Sequence, residues 1–476
     1  MALGFGFGEC CAWITAPDDF RVSLSSLRKL CSARLLRNIS LVQSVVRSYT
    51  WGMSNSNSST IHSGVDLPIN LDAIRAAQAT LNGIITPTPM LEDDTLSRLL
   101  GVKVSLKAEC LQRAGSFKIR GAYTKISSLT QSERARGVIA PSAGNHAQGV
   151  ALAASLLGIS STIIMPTFAP LTKVVATRDY GAHVILEGIT FDDAATHARF
   201  LSESEGFTYV HAFNDPVVIA GQGTIGLEML EALPNANVFV VPIGGGGLIA
   251  GIATAIKTLK PEARVIGIQA AGCSAVLPSL RAGAPVQIAA AQTIADGIAV
   301  KRPGDLTLPI IKALVDEVLE VTDDEIARAI VHCGQRAKLV VEGAGAAGVA
   351  ALLAGKVLLE PSDQVCVILC GGNIDGNLLA RVFEQVMVRQ GQYVLLKLAV
   401  IDRPGSLAQL VDRVAETRAN IVDIFHRRAL WLAPLGKVGV ELVLEVRDEQ
   451  HSQDVIAHLQ KAGYHLEREI QGIWPE

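Results

Sequence analysis

The sequence predicts an α/β protein: two parallel-sheet, helix-flanked subdomains followed by a smaller βαββαβ module of the ferredoxin-like kind. Three observations predict it. From about residue 66, short β-branched runs alternate with Ala- and Leu-rich helical stretches; glycine-rich loops follow several of those runs; and from about residue 390 the order of the runs changes. Strands alternating with helices make parallel sheets covered on both faces. Such sheets carry their functional groups on loops at the strand C-terminal ends.

Residues 1–65 read as an N-terminal extension, disordered or targeting. Six basic residues precede position 50 (Arg21, Arg28, Lys29, Arg34, Arg37, Arg47), and a polar tract, MSNSNSSTIHSG, starts at Met53. An organellar transit peptide is rich in Arg and Ser and poor in acids. Glu9, Asp18 and Asp19 depart from that composition, so a plain extension or a start at Met53 stays open beside it. A cytoplasmic location is expected, with an organelle as the alternative.

Residues 66–388 read as the catalytic domain, with a smaller subdomain at about 109–215. The strands GVKVSLKAE, RGVIAPS, STIIMP and AHVILEG are each followed by a helical stretch, and NVFVVPIGGGG, RVIGIQAA and QVCVILCGGN repeat the rhythm. Ala236–Ile256 is uncharged over 21 residues, the length of a bilayer span. Its proline and four consecutive glycines would leave backbone groups unpaired in lipid, so the run is expected to be strand, loop and buried helix.

Residues 391–476 read as the second module. YVLLKLAVI, NIVDIFHRR, VGVELVLEV and HLEREI are its strands, with helices over DRPGSLAQLVDRVAETR and from His451. Leu407, Leu410, Val411 and Val414 recur at helical spacing and form one apolar face.

Charge and cysteine usage narrow the function. With 42 Lys and Arg against 45 Asp and Glu, a net charge of -3 supplies no field for phosphate backbones or anionic lipid, so neither nucleic acid nor membrane is an expected partner. Eight cysteines lie scattered without a CxxC pair or a histidine at metal spacing. Reduced thiols and no metal are expected.

The glycines at 244–247 stand between a strand and a helix. Their N–H groups and the helix N-terminus suit a phosphate. A dinucleotide fold is the rival, since Gly245, Gly247 and Ala250 satisfy G-x-G-x-x-A, but that fold wants an acid at the end of the next strand, where Gln269 stands. Lys118 in GSFKIRGA, PSAGNH at 141–146 and LCGGN at 369–373 complete a set of one lysine, polar glycine loops and a phosphate cradle. That set suits pyridoxal 5'-phosphate.

The segments GSFKIRGA, SAGNHAQG, VVPIGGGGLIAG and CGGNID, in this order and spacing over about 66–388, resemble the fold type II pyridoxal-phosphate enzymes, and among them most closely the threonine dehydratases. The resemblance implies that Lys118 condenses with the cofactor aldehyde and acts as catalytic base, that Phe117 lies against the ring and that Asn145 contacts its hydroxyl. It further implies that Gly244, Gly245, Gly246, Gly247 and Leu248 hold the phosphate, that Cys370 faces the ring nitrogen, and that Ser142, Ala143, Gly144 and His146 hold the substrate. The implied reaction is deamination of L-threonine, and of L-serine, to a 2-oxo acid and ammonia, in isoleucine biosynthesis or threonine catabolism. A homodimer or homotetramer is expected.

Two positions depart from the family. Cys370 stands where most dehydratases have serine and some animal serine dehydratases have cysteine, which leaves substrate preference open. Ala114 stands where threonine is usual. Serine racemase shares nearly every motif but has serine at Ala143, and alanine relays no proton; Gln269 and Ala275 replace the carboxylates of its metal site. A hydroxyaspartate dehydratase or a non-catalytic amino-acid sensor stays as a further alternative. With D-R-P-G-S-L at its first turn, the tail resembles the ACT domain, which implies a regulatory amino acid, isoleucine or valine, at Arg403, Pro404, Gly405, Ser406 and Leu407. A packing domain without ligand is the alternative.

Overall fold

The computed structural model describes residues 67–427 and 434–468; the extension expected at 1–65 lies outside the described residues. The strands are β1 Met90–Glu92, β2 Lys103–Lys107, β3 Val138–Pro141, β4 Ser161–Met165, β5 His183–Leu186, β6 Thr208–Tyr209, β7 Val238–Pro242, β8 Arg264–Ala270, β9 Glu317–Val321, β10 Gln364–Ile368, β11 Tyr393–Ile401, β12 Asn420–Arg427, β13 Lys437–Glu445 and β14 Leu466–Arg468.

The larger α/β sheet runs β1-β2-β10-β7-β8-β9 and is parallel except for the β1–β2 pair. A second sheet, β5-β4-β3-β6, is parallel throughout and is inserted in the chain between β2 and β7. Strands β4 (STIIM) and β7 (VFVVP) are buried at every position, as strands covered on both faces should be. The uncharged run Ala236–Ile256 folds as β7, the glycine loop and the helix Gly247–Leu259. No helix among the described residues is long and apolar enough to cross a membrane.

Small residues let the helices around the site approach closely. The helix Pro216–Ala232 opens on an Asp215 cap with proline at its first turn. A Cβ at Gly251 would lie 2.4 Å from the Ile219 carbonyl oxygen, and one at Gly121 2.7 Å from that of Val218. The helix Lys118–Ser127 is thereby drawn against Pro216–Ala232, which is itself drawn against Gly247–Leu259.

A buried ion network fixes the first turn of Lys118–Ser127. Arg120, fully buried, donates to both oxygens of Glu109 at 2.8 Å and to Glu228 at 2.6 and 2.9 Å. Lys107, on β2, reaches Glu228 at 2.7 Å and the Thr88 carbonyl at 2.7 Å. Planar, two-pronged pairing of this kind sets orientation as well as energy.

The tail forms the antiparallel sheet β12-β13-β11-β14. Its order is β11, helix Ser406–Glu416, β12, β13, helix Glu449–Lys461, β14, which is βαββαβ. Alternate residues of β11 (Val394, Leu396, Leu398, Val400) pack with Leu410, Val414, Val455 and Leu459 in a core of their own, with Leu407 against its edge. Of the strand expected at HLEREI, Leu466–Arg468 is formed and the last two residues lie outside the described residues.

Candidate active site

Three loops leave the C-terminal ends of parallel strands: Ser142–Gly144 after β3, Gly244–Gly246 after β7, and the stretch from Cys370 to Asn373 just beyond β10. Lys118 opens its helix in the segment that follows β2. Direct contacts bring these pieces together. The Phe117 N–H donates to the Cys370 carbonyl at 3.2 Å, and Ser116 bridges to Gly371. Asn373 donates from Nδ2 to the Ala114 carbonyl and to Asn145 Oδ1, both at 2.8 Å. Lys118 donates from Nζ to the Ala212 carbonyl at 3.1 Å. The next residue, Phe213, lies on the glycine loop: a Cβ at Gly245 would come within 2.4 Å of its ring.

The loop before Lys118 is strained. Ala114 has φ 62° and Gly115 φ 68°, a left-handed pair in which only the glycine is at ease. A Cβ at Gly115 would strike Asn373 Oδ1 at 2.3 Å. Asn373 therefore both requires that glycine and holds the alanine in place.

The Lys118 amine lies 5.1 Å from the centroid of the Phe117 ring. Desolvation pulls it down to about 8, against the opposing influence of Cys370 and Glu342. Burial pushes the Cys370 thiol well above its usual value, and Glu342 adds to the shift, so the sulfur keeps its proton. Ser142 is buried, and its Oγ accepts from the Gly144 N–H at 3.1 Å. Ala143 is half-buried against the core of the small sheet. His146 is also brought beside this group, but its Nε2 is bonded to the Val210 carbonyl at 2.8 Å. Desolvation, then the Lys118 charge, push it down to about 3. Arg403 to Gly405 are exposed and Ser406 and Leu407 half-buried, all at the turn that leads from β11 into the helix Ser406–Glu416.

Several residues of the site carried no motif. His211 accepts at Nδ1 from the Phe213 and Asn214 N–H groups at 3.2 and 2.9 Å, and desolvation pushes it down to about 4. Thr307 supports the glycine loop by donating to the Gly245 carbonyl at 2.6 Å. Glu342 accepts from Asn145 Nδ2 at 2.6 Å. Burial, then Asp296, push it up to about 7. Its available signal was one acid inside the apolar run LVVEGAGAAGVAALL.

Residues 81–371 match a family described as pyridoxal-phosphate dependent enzymes. The chain belongs to this family. It is 48% identical over 398 residues to the L-threonine ammonia-lyase of Thermotoga maritima, covering 84% of this chain and 99% of that relative. It is 46% identical over 325 residues to the catabolic L-threonine dehydratase of Escherichia coli K12, covering 68% and 98%. Among solved structures, maize serine racemase superposes with a TM-score of 0.64 at 36% identity over 68% of this chain and 99% of that one. The family's cofactor is therefore this enzyme's cofactor, and the residues present fit it. The helix Gly247–Leu259 has no side-chain cap at Gly246, so its first N–H groups meet a ligand without competition. The Ser116 hydroxyl, two residues before Lys118, is buried without a partner, which a bound group would relieve.

Proposed function

We propose that this enzyme deaminates L-threonine, and L-serine beside it, by β-elimination of water, giving 2-oxobutanoate or pyruvate and ammonia. One observation carries the reading: the Lys118 amine, pulled down to about 8, lies where the loops after β3, β7 and β10 meet the start of its helix. When bound, pyridoxal phosphate supplies an electron sink for the charge that develops at the substrate Cα.

The chain's own residues do the rest. Gly244 to Leu248 would hold the phosphate, Phe117 would back the ring, Asn145 would offer an N–H to its hydroxyl, and the neutral Cys370 thiol would serve its nitrogen as a weak donor. The Ser142–Gly144 loop holds the substrate carboxylate through backbone N–H groups. Lys118 takes the Cα proton, a task for which an amine lowered toward neutrality is suited. Water leaves from Cβ and a second water enters as ammonia is released, so atoms balance between threonine and its products. Ala143 offers no proton to the opposite face of Cα, which favours elimination over racemisation.

Residues 66–388 serve as the catalytic domain in this reading. Residues 391–476 serve as an ACT-like regulatory domain that takes isoleucine or valine near Arg403 to Leu407, in a dimer or tetramer. The test is direct. The wild type should be yellow, bleached by borohydride, and should release 2-oxo acid from L-threonine in preference to L-serine, D-serine and hydroxyaspartate, with a rate changed by isoleucine. Lys118→Ala should abolish both colour and product, and survival of product in that variant would sink the assignment.

A further inference from the structure

Glu342 is a buried acid that the reaction above leaves without a task. Its residue is 3% exposed. It occupies the cap position of the helix Gly343–Leu353, yet its side chain makes no capping hydrogen bond. The carboxylate turns instead to Asn145, which donates to Oε1 from Nδ2 at 2.6 Å. Room for that turn comes from two glycines: a Cβ at Gly371 would lie 2.5 Å from Oε1, and one at Gly297 3.1 Å away. The Glu342 N–H is tied to the Gly371 carbonyl at 3.1 Å, one residue beyond Cys370. The acid is therefore built into the same wall as the thiol.

We propose that Glu342 is a positioning residue of this site, whose carboxylate holds the Asn145 side-chain amide in one of its two orientations and leaves its second N–H for the cofactor. The proposal rests on the reading of Asn145 as a cofactor contact. The two ends of an amide have nearly the same shape, so its partners decide which way it points. On one side stands Asn373, whose Nδ2 is committed as a donor by the Ala114 carbonyl at 2.8 Å and so requires the oxygen of Asn145. On the other side an ionised carboxylate only accepts and so requires the nitrogen. Both demands agree. One N–H goes to Glu342, and the other is free to point elsewhere.

Protonation would weaken that hold, because a carboxylic acid can also donate and then accommodates the reversed amide. Burial and Asp296 favour the proton on Glu342, while Asn145, Lys173 and Lys118 oppose it; the thiols Cys370 and Cys110 are the other titratable groups that sense it. Lys173 and Asp296 are themselves paired. The hold is complete above the pH at which Glu342 ionises and fades below it.

Titration of the apoprotein with pyridoxal 5'-phosphate, followed by visible absorption across pH 5.5 to 8.5, tests this. A hydrogen bond to a charged group is worth about tenfold in affinity, so Glu342→Gln should bind the cofactor about tenfold more weakly and lose the pH dependence of binding expected near 7 in the wild type, while keeping the dependence near 8 that follows Lys118. Asn145→Ala should be at least as weak, and Asn145→Ala/Glu342→Gln no weaker than Asn145→Ala alone. If Glu342→Gln does not fold, Glu342→Asp replaces it, with weaker binding and the pH dependence kept. Wild-type affinity and pH profile in Glu342→Gln, with Asn145→Ala impaired, overturn this proposal alone, as do losses that multiply in the double variant. A wild type that takes up no pyridoxal phosphate overturns the functional reading as well.

Discussion

His146 stays uncharged in the folded chain because its ring is buried and a neutral Nε2–H suffices for the Val210 carbonyl. Its folded pKa of about 3 lies below the ordinary 6.5. The stability it contributes is therefore full above pH 6.5 and is lost as pH falls toward 3. At pH 5 the penalty is on the order of 2 kcal/mol. His146→Gln keeps a donor and does not titrate, so its Tm should fall less steeply than the wild type's between pH 6.5 and 4; parallel curves would count against the argument. At this scale Lys118, Asn145, Cys370 and the glycine run could be read from the chain, since each lies inside its own short motif. Glu342 could not. Its partner is 197 positions away, and nothing local in an apolar run announces a carboxylate that will be turned toward an amide.

The glycine loop shows how an element depends on what is packed beneath it. Gly245 is pressed on the Phe213 ring, and Thr307 holds its carbonyl from the other side. Gly245→Ala has no room for its methyl and must displace either the ring or the loop. We expect at least a tenfold loss of pyridoxal phosphate affinity with the far-UV spectrum unchanged, and partial recovery in Gly245→Ala/Phe213→Ala, measured by cofactor titration. The strand–loop–helix character of this stretch was legible in NVFVVPIGGGGLIAG, because β-branched residues, then glycines, then an apolar helix each state their preference locally. The order β1-β2-β10-β7-β8-β9 was not, because pairing partners are chosen by surfaces far apart in sequence.

At the scale of the whole molecule, the βαββαβ tail closes a core of its own from Leu396, Leu398, Leu442, Leu444, Val455 and Leu459. The Escherichia coli dehydratase matches over 325 residues, 98% of its length, but only 68% of this chain, so a catalytic body of its kind works at that shorter length. A chain ending at Gln390 should release 2-oxo acid within about threefold of the full chain's rate, since a part with a core of its own can fold apart from the rest. Any response to isoleucine should be confined to the full chain. Loss of elimination in the shortened protein would place the tail inside the catalytic machinery. The change of pattern near residue 390 made this division readable, and a smaller subdomain at about 109–215 was expected within residues 66–388, whereas the strand order of each sheet was hidden until pairing was known. The insertion of the second sheet between β2 and β7 sets a timetable. Strand β10 lies between β2 and β7 and is parallel to both, so the middle of the larger sheet is the last of its strands to leave the ribosome. At roughly 5–20 residues per second, the wait from β2 to β10 lasts on the order of 13–50 s. For that interval the lysine side of the site exists without its cysteine side, and a nascent chain holds no finished cofactor site until β10 has closed the sheet.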